Sequence, residues 1–196
     1  MTGPAGLMRK VADHAHDRWH GVHTGGVRAT GVEDGHRCAT LSYRDIRAIL
    51  RSAGLTADDT VLDLGCGSGR VLICAAALGA ARAIGVEADA QIAAAARQMT
   101  ARARRVGGVM DVVQAPAQEY PYSDETIVYL FNPFGRETLA AVLRAMEARG
   151  WPAPGRRLVY INPEWAEVLR AAPWLEMRSE REIGEHAVQV WAACEP

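Results

Sequence analysis

The stretch Val61-Leu62-Asp63-Leu64-Gly65-Cys66-Gly67-Ser68-Gly69-Arg70 decides how the rest of the chain is read. A short apolar run ends in three alternating glycines and passes into an Ala-rich segment that Gly79 stops. That is the order of a buried strand, a tight loop and a helix. Glycine is required where the backbone turns at positive φ or where a ligand approaches the main chain closely. The dinucleotide fingerprint G-x-G-x-x-G has its third glycine where this chain has Arg70. Here the spacing is G-x-G-x-G, with Asp63 two residues before the first glycine. An acid in that place repels a pyrophosphate seated on the helix N-terminus. It is compatible with a ligand that carries a positive charge and no phosphate. A second acid, Glu87, closes the run Ile84-Gly85-Val86-Glu87, where a carboxylate can accept hydrogen bonds from both hydroxyls of a ribose.

Outward from this loop the pattern is regular. Apolar runs at 60–64, 83–86, 110–115, 126–131 and 158–161 read as strands. Between them, 41–53, 70–78, a segment capped by Asp89 and running to about 104, and 136–149 read as helices. Pro163 is expected to open a further helix, in the first-turn place that proline favours. Residues 175–183 and 187–193 read as a hairpin around Gly184. Alternating strands and helices with fully apolar strands imply an α/β fold whose parallel sheet is covered on both faces. The hairpin adds an antiparallel C-terminal edge. Ligands on such a sheet bind at the carboxyl ends of the strands, near the switch in strand order.

The bulk numbers agree. With 196 residues, 49% of them hydrophobic, the chain suits one core. A net charge of −1 speaks against a dedicated nucleic-acid binder. Arg102, Arg104 and Arg105 read as a solvated helix end. Lys10 is the single lysine, so a P-loop and a catalytic lysine in the core are excluded. Cys38, Cys66, Cys74 and Cys194 form no C-x-x-C pair. No apolar run is long enough for a bilayer and no leader-like apolar region opens the chain, so a reducing cytoplasm is expected.

Asp63 to Gly69 resembles the first motif of class I methyltransferases, and Glu87 resembles their ribose-binding acid. The resemblance extends over residues 41–196 in element order. It implies a three-layer Rossmann-like domain, mostly parallel with an antiparallel C-terminal strand and helices on both faces. It also implies S-adenosylmethionine as cofactor, held by Asp63, Gly65, Cys66, Gly67, Gly69, Glu87, Ala88, Ala117 and Asn132. The family often places an acid or amide for adenine after the third strand. Gln114-Ala115-Pro116-Ala117-Gln118-Glu119 has Pro116 or Ala117 there, which leaves the adenine to backbone groups or Gln118.

Tyr129-Leu130-Phe131-Asn132-Pro133-Phe134-Gly135 ends the fourth strand and resembles the Asn/Asp-Pro-Pro-aromatic motif of methyltransferases that act on planar nitrogens, with one proline of the two. A strand-ending turn is the plainer reading, since Asn and Pro favour turns. A second Asn-Pro follows the fifth strand in Tyr160-Ile161-Asn162-Pro163-Glu164. Asn132, Tyr160 and Tyr43 are the candidate catalytic residues. Tyr160 as a core aromatic and Tyr43 as a neighbour of the cofactor's methionine end are both open. Residues 1–40 form an arm separate from the domain at 41–196. Its His16 and His20 share a helix face at a spacing that metal sites use, but no further ligand completes a site, so no metal is expected. The arm reads instead as a lid, with Trp19, His20, His23 or Thr24 near the substrate.

The leading expectation is methyl transfer to a small-molecule acceptor, a protein acceptor being allowed, with no membrane partner and nucleic acid set aside. Two alternatives stand beside it. One is cyclisation of S-adenosylmethionine itself, as in azetidine-2-carboxylate synthases, with methylthioadenosine as product. The other is a non-catalytic regulator that binds the cofactor.

Overall fold

The computed structural model describes residues 4–24, 40–103 and 106–194. Cys38, Arg104, Arg105 and the glycines from Gly25 to Gly35 lie outside them. The chain begins with helix α1 (Pro4–His20) and helix α2 (Tyr43–Ser52). Five strands and four helices follow: β1 (Thr60–Leu64), α3 (Arg70–Ala77), β2 (Arg82–Glu87), α4 (Ala90–Arg102), β3 (Val109–Gln114), β4 (Ile127–Phe131), α5 (Arg136–Ala148), β5 (Arg157–Ile161) and α6 (Ala166–Arg170). The hairpin is β6 (Leu175–Ile183) and β7 (His186–Ala193).

The seven strands lie in the order β3-β2-β1-β4-β5-β7-β6. β1 to β5 are parallel to one another, and β7 runs antiparallel between β5 and β6. The expected three-layer Rossmann-like sheet is therefore the observed one. Its order reverses between β1 and β4, the place where such sheets bind ligands.

Strand period two sorts the side chains into two cores. Val61, Tyr129 and Val159 join α2, α3 and α4 on one face, with Tyr43, Ile46, Leu72 and Ile73. Leu62, Val128, Leu130 and Tyr160 join α5 and α6 on the other, with Leu139, Val142, Trp151 and Trp174. The parallel register sets Asp63 beside Gly85 and Tyr129, so these three share the α2–α3 face. Asp89 caps α4 as expected, accepting from the amides of Gln91 and Ile92. Ser42 caps α2 by accepting from the Asp45 amide. The expectation for Pro163 is corrected: α6 starts at Ala166, because residues 162–165 turn first at a left-handed Asn162.

Among the described residues no helix is long and apolar enough to cross a membrane. Cys66 and Cys74 are buried and Cys194 is half-buried, and no disulfide joins these three.

Candidate active site

The glycine loop connects β1 to α3 at the switch point. Gly65, Gly67 and Gly69 all have positive φ, 76°, 52° and 79°. At Gly65 a Cβ would also lie 2.8 Å from Cβ of Pro133, so the Asn-Pro-Phe loop packs directly on the glycine loop. The amides of Gly65 and Cys66 both donate to the Val86 carbonyl, at 2.8 and 3.1 Å, which binds the loop to the end of β2. Gly85 leaves room for Cys66: a Cβ there would meet its Sγ at 2.6 Å. Gly69 caps α3 and faces α4, a Cβ there reaching Thr100 Cγ2 at 3.3 Å. Its glycine is needed for helix packing more than for ligand approach.

Glu87 is buried at the end of β2. Its Oε2 accepts from the Gly67 amide and its Oε1 from the Asp89 amide, both at 3.1 Å. A carboxylate has about four acceptor positions, so each oxygen keeps one for a hydroxyl. Asp63 is also buried. Desolvation first, and the Glu87 carboxylate second, push its pKa up to about 8. The Tyr129 hydroxyl beside it is buried and has no hydrogen-bond partner. Asp63, Tyr129, Gly65, Cys66, Gly67 and Phe131 line a cavity of about 40 Å³. A roomier groove of about 570 Å³ between α5 and α6 contains none of these residues.

This donor set fits the amino-acid end of S-adenosylmethionine. An acid that burial has made costly to ionise gains most from a cationic amino group. A buried orphan hydroxyl gains a partner from the same end. The left-handed Gly67 brings no side chain into the remaining space. On the adenine side, Ala117 is buried at the start of a single 3-10 turn, its carbonyl taken by the Tyr122 hydroxyl at 2.8 Å. Ala88 is half-buried, and its carbonyl accepts from Gln114 at 3.2 Å. Gln118 is exposed.

Asn132 ends β4 in a left-handed conformation, φ 39°. Its Oδ1 accepts from the Tyr160 hydroxyl at 2.9 Å, and its Nδ2 donates to Glu164 at 3.0 Å. Two of the three candidate catalytic residues thus meet. Tyr160 is a core aromatic with a polar end: its ring lies on the α5–α6 face while its hydroxyl reaches the sheet end. Burial pushes its pKa up to about 12.

Tyr43 does not join them. Its hydroxyl donates to Asp17 at 2.8 Å and lies 3.2 Å from the Thr24 hydroxyl. Burial raises its pKa well above the ordinary range. The Arg70 guanidinium stacks 4.7 Å over its ring. Arg70 also donates to Thr24 Oγ1, Asp13 Oδ2 and the Leu41 carbonyl, at 2.7 to 2.9 Å. Ser68, in the glycine loop, donates to the Thr24 carbonyl at 2.9 Å. Tyr43 is held on the arm side of the glycine loop by Asp17, Thr24 and Arg70. The arm's segment up to Thr24 is fastened to the glycine loop by buried polar groups. Trp19 and His23 of the arm are exposed, whereas His16 and His20 stack on or near Tyr43. Among the described residues no group of three or more His, Cys, Asp and Glu is placed to hold a metal.

Sequence reasoning missed Arg70, Tyr129, Ser68 and Glu164. Asp13 and Asp17, four apart on α1 beside His16 and His20, were the available sign that this helix has a polar buried face.

A methyltransferase domain model matches residues 61–149. The structure resembles an RNA methyltransferase from Salinibacter ruber solved with S-adenosylhomocysteine, with a TM-score of 0.61 and 22% identity over 77% of this chain and 91% of that one. Residues 61–149 thus match a methyltransferase domain, and the sheet has the class I, Rossmann-like methyltransferase fold. TrmN from Thermus thermophilus shares this methyltransferase fold, with a TM-score of 0.62 and 21% identity over 79% of this chain and 49% of that one. Among curated relatives, the ribosomal protein L11 methyltransferase of Xylella fastidiosa is 36% identical over 133 residues, 63% of this chain. The chain spans 40% of the length of that relative. These findings overturn the expectation of a small-molecule acceptor with nucleic acid set aside. The curated relatives are methyltransferases of a ribosomal protein, and an RNA methyltransferase stands among the structural neighbours.

Proposed function

We propose that this protein is an S-adenosylmethionine-dependent methyltransferase whose acceptor is a macromolecule, a protein or an RNA, in the cytoplasm. The observation that carries the reading is the buried Glu87 carboxylate, clamped by the Gly67 amide and facing the same loop as Asp63 and the orphan Tyr129 hydroxyl. Bound S-adenosylmethionine supplies an electrophilic methyl on a sulfonium. The chain's own residues supply position. Glu87 is proposed to hold the ribose, Asp63 and Tyr129 the amino-acid end, and the bare glycine backbone the bridge between them. Asn132 orients the acceptor at the end of β4. Catalysis of this kind rests on near-attack geometry, with reacting atoms about 3–3.5 Å apart. The arm, tied to Ser68 through Thr24, stands over one wall of the loop.

The test has two stages. Calorimetry is expected to find S-adenosylhomocysteine binding and no NAD(P) binding. Ribosomal particles are then incubated with the protein and methyl-labelled S-adenosylmethionine. Label should appear in a fraction sensitive to protease or to ribonuclease, together with S-adenosylhomocysteine. Methylthioadenosine as the product would replace transfer by cyclisation. Binding without turnover of any kind would leave a regulator.

A further inference from the structure

We propose that Glu164 is a positioning and specificity-determining residue, which locks the Asn132 amide and gives the transfer point a preference for positive charge. The inference rests on the reading of Asn132 as the end of the methyl-transfer site.

The argument is one of hydrogen-bond direction. An asparagine amide can be turned either way, and its surroundings decide. The Tyr160 hydroxyl receives the Trp165 amide at 3.4 Å, so its own proton is free to go to Asn132 Oδ1, 2.9 Å away. The Glu164 carboxylate accepts only, and it lies 3.0 Å from Asn132 Nδ2. Turned round, the amide would set Oδ1 against the carboxylate and Nδ2 against the hydroxyl proton. The carboxylate therefore enforces one orientation, which the Tyr160 hydroxyl completes by donating, and Oδ1 keeps one lone pair for a ligand. Residues 162–165 are bent into reach by the left-handed Asn162, φ 48°, as Asn132 is by its own φ of 39°. Asparagine is one of the few residues besides glycine that adopts positive φ readily, so both turns are written into the sequence at these two positions. Glu164 is exposed, so the carboxylate meets an incoming group as well as Asn132.

The charge has a consequence for chemistry. In transfer to an amine, the nitrogen lone pair forms the new N–C bond while the C–S bond breaks and its electrons stay on sulfur. Positive charge passes to nitrogen, and the proton that leaves it can go to the Glu164 carboxylate. A carboxylate one hydrogen bond from Asn132 stabilises that charge. It disfavours an acceptor presented beside a phosphate. The selected acceptor is thus an amine nitrogen.

Sinefungin tests this without the acceptor. It places a carbon bearing a cationic amine where S-adenosylmethionine has its methylated sulfur. S-adenosylhomocysteine has a neutral thioether there. Calorimetry on the full chain should find sinefungin bound about tenfold tighter than S-adenosylhomocysteine, the size of a charge-assisted hydrogen bond. Glu164→Gln should bring the two within about twofold by weakening sinefungin alone, and Glu164→Asp should restore part of the gap. Equal affinities in the parent protein overturn the proposal. So does a gap that survives Glu164→Gln, and so does an equal loss for both ligands, which marks a structural defect. If neither ligand binds, the glycine-loop reading itself fails and the proposal falls with it.

Discussion

The two buried acids at the ends of β1 and β2 behave differently because their partners differ. Glu87 receives two backbone amides, and Asp63 shares its cavity with an orphan hydroxyl. Glu87→Ala should weaken S-adenosylhomocysteine binding by about 1–3 kcal/mol, the cost of losing hydrogen bonds to a charged acceptor. Titration calorimetry reads this directly, and an unchanged affinity would remove Glu87 from the site. Asp63 makes a prediction in pH. Its folded pKa is raised to about 8, above an ordinary unfolded value near 4, so the native state holds more protons between those limits. Its contribution to stability is therefore complete below about pH 4 and is lost as pH rises through about 8. Asp63→Asn should flatten that part of the stability profile in urea titrations of the ligand-free protein. A parent profile with no decline over the same window would contradict the burial argument. At this scale the motif residues were legible because loop spacing and strand ends are local properties. Tyr129 was not, since nothing in a strand of four apolar neighbours tells which hydroxyl lacks a partner.

The element that the sequence described least well is the arm. Its histidines drew attention, yet the groups that fasten it are carboxylates and a threonine meeting Arg70 at the start of α3. The Arg70–Asp13 pair, at 2.9 Å, is largely buried. Breaking a buried pair from one side leaves an uncompensated charge, so Arg70→Ala should cost on the order of 3 kcal/mol. Much of that loss belongs to α1. Amide hydrogen exchange should rise along α1 more than in β1 or β4, and cofactor affinity should fall because Ser68 loses its hold on Thr24. Unchanged α1 exchange in a folded Arg70→Ala variant would mean that the helix is held by packing alone. Arg70 was read only as the residue that replaces a third glycine, because its partners stand 29 to 57 residues away. The same distance in sequence hid the function of Glu164, whose partner Asn132 belongs to a different strand end.

At the scale of the whole molecule, the proposed ligand site is a seam between the two halves of the sheet, with Asp63 and Glu87 on one side and Asn132 on the other. A ligand that bridges the seam should stabilise the fold as a unit. S-adenosylhomocysteine at about 100 times its dissociation constant should add roughly 2.7 kcal/mol. For a chain of this size each kcal/mol moves Tm by roughly 2–4 °C. A shift of roughly 5–10 °C in a thermal scan is therefore expected, and none at saturation would contradict the site. The sequence by itself determined the alternation of strands and helices, the two-sided burial of the sheet, the glycine loop and its two acids. Those are set by period, by turn chemistry and by neighbours within a few residues. Only the tertiary structure decided which side chains meet across the seam. Tyr160 donates to Asn132, Glu164 holds its amide, and Tyr43 turns away to the arm. The physical reason is that a hydrogen bond between strand ends depends on lateral register and strand order. Neither is written in any single segment of the chain.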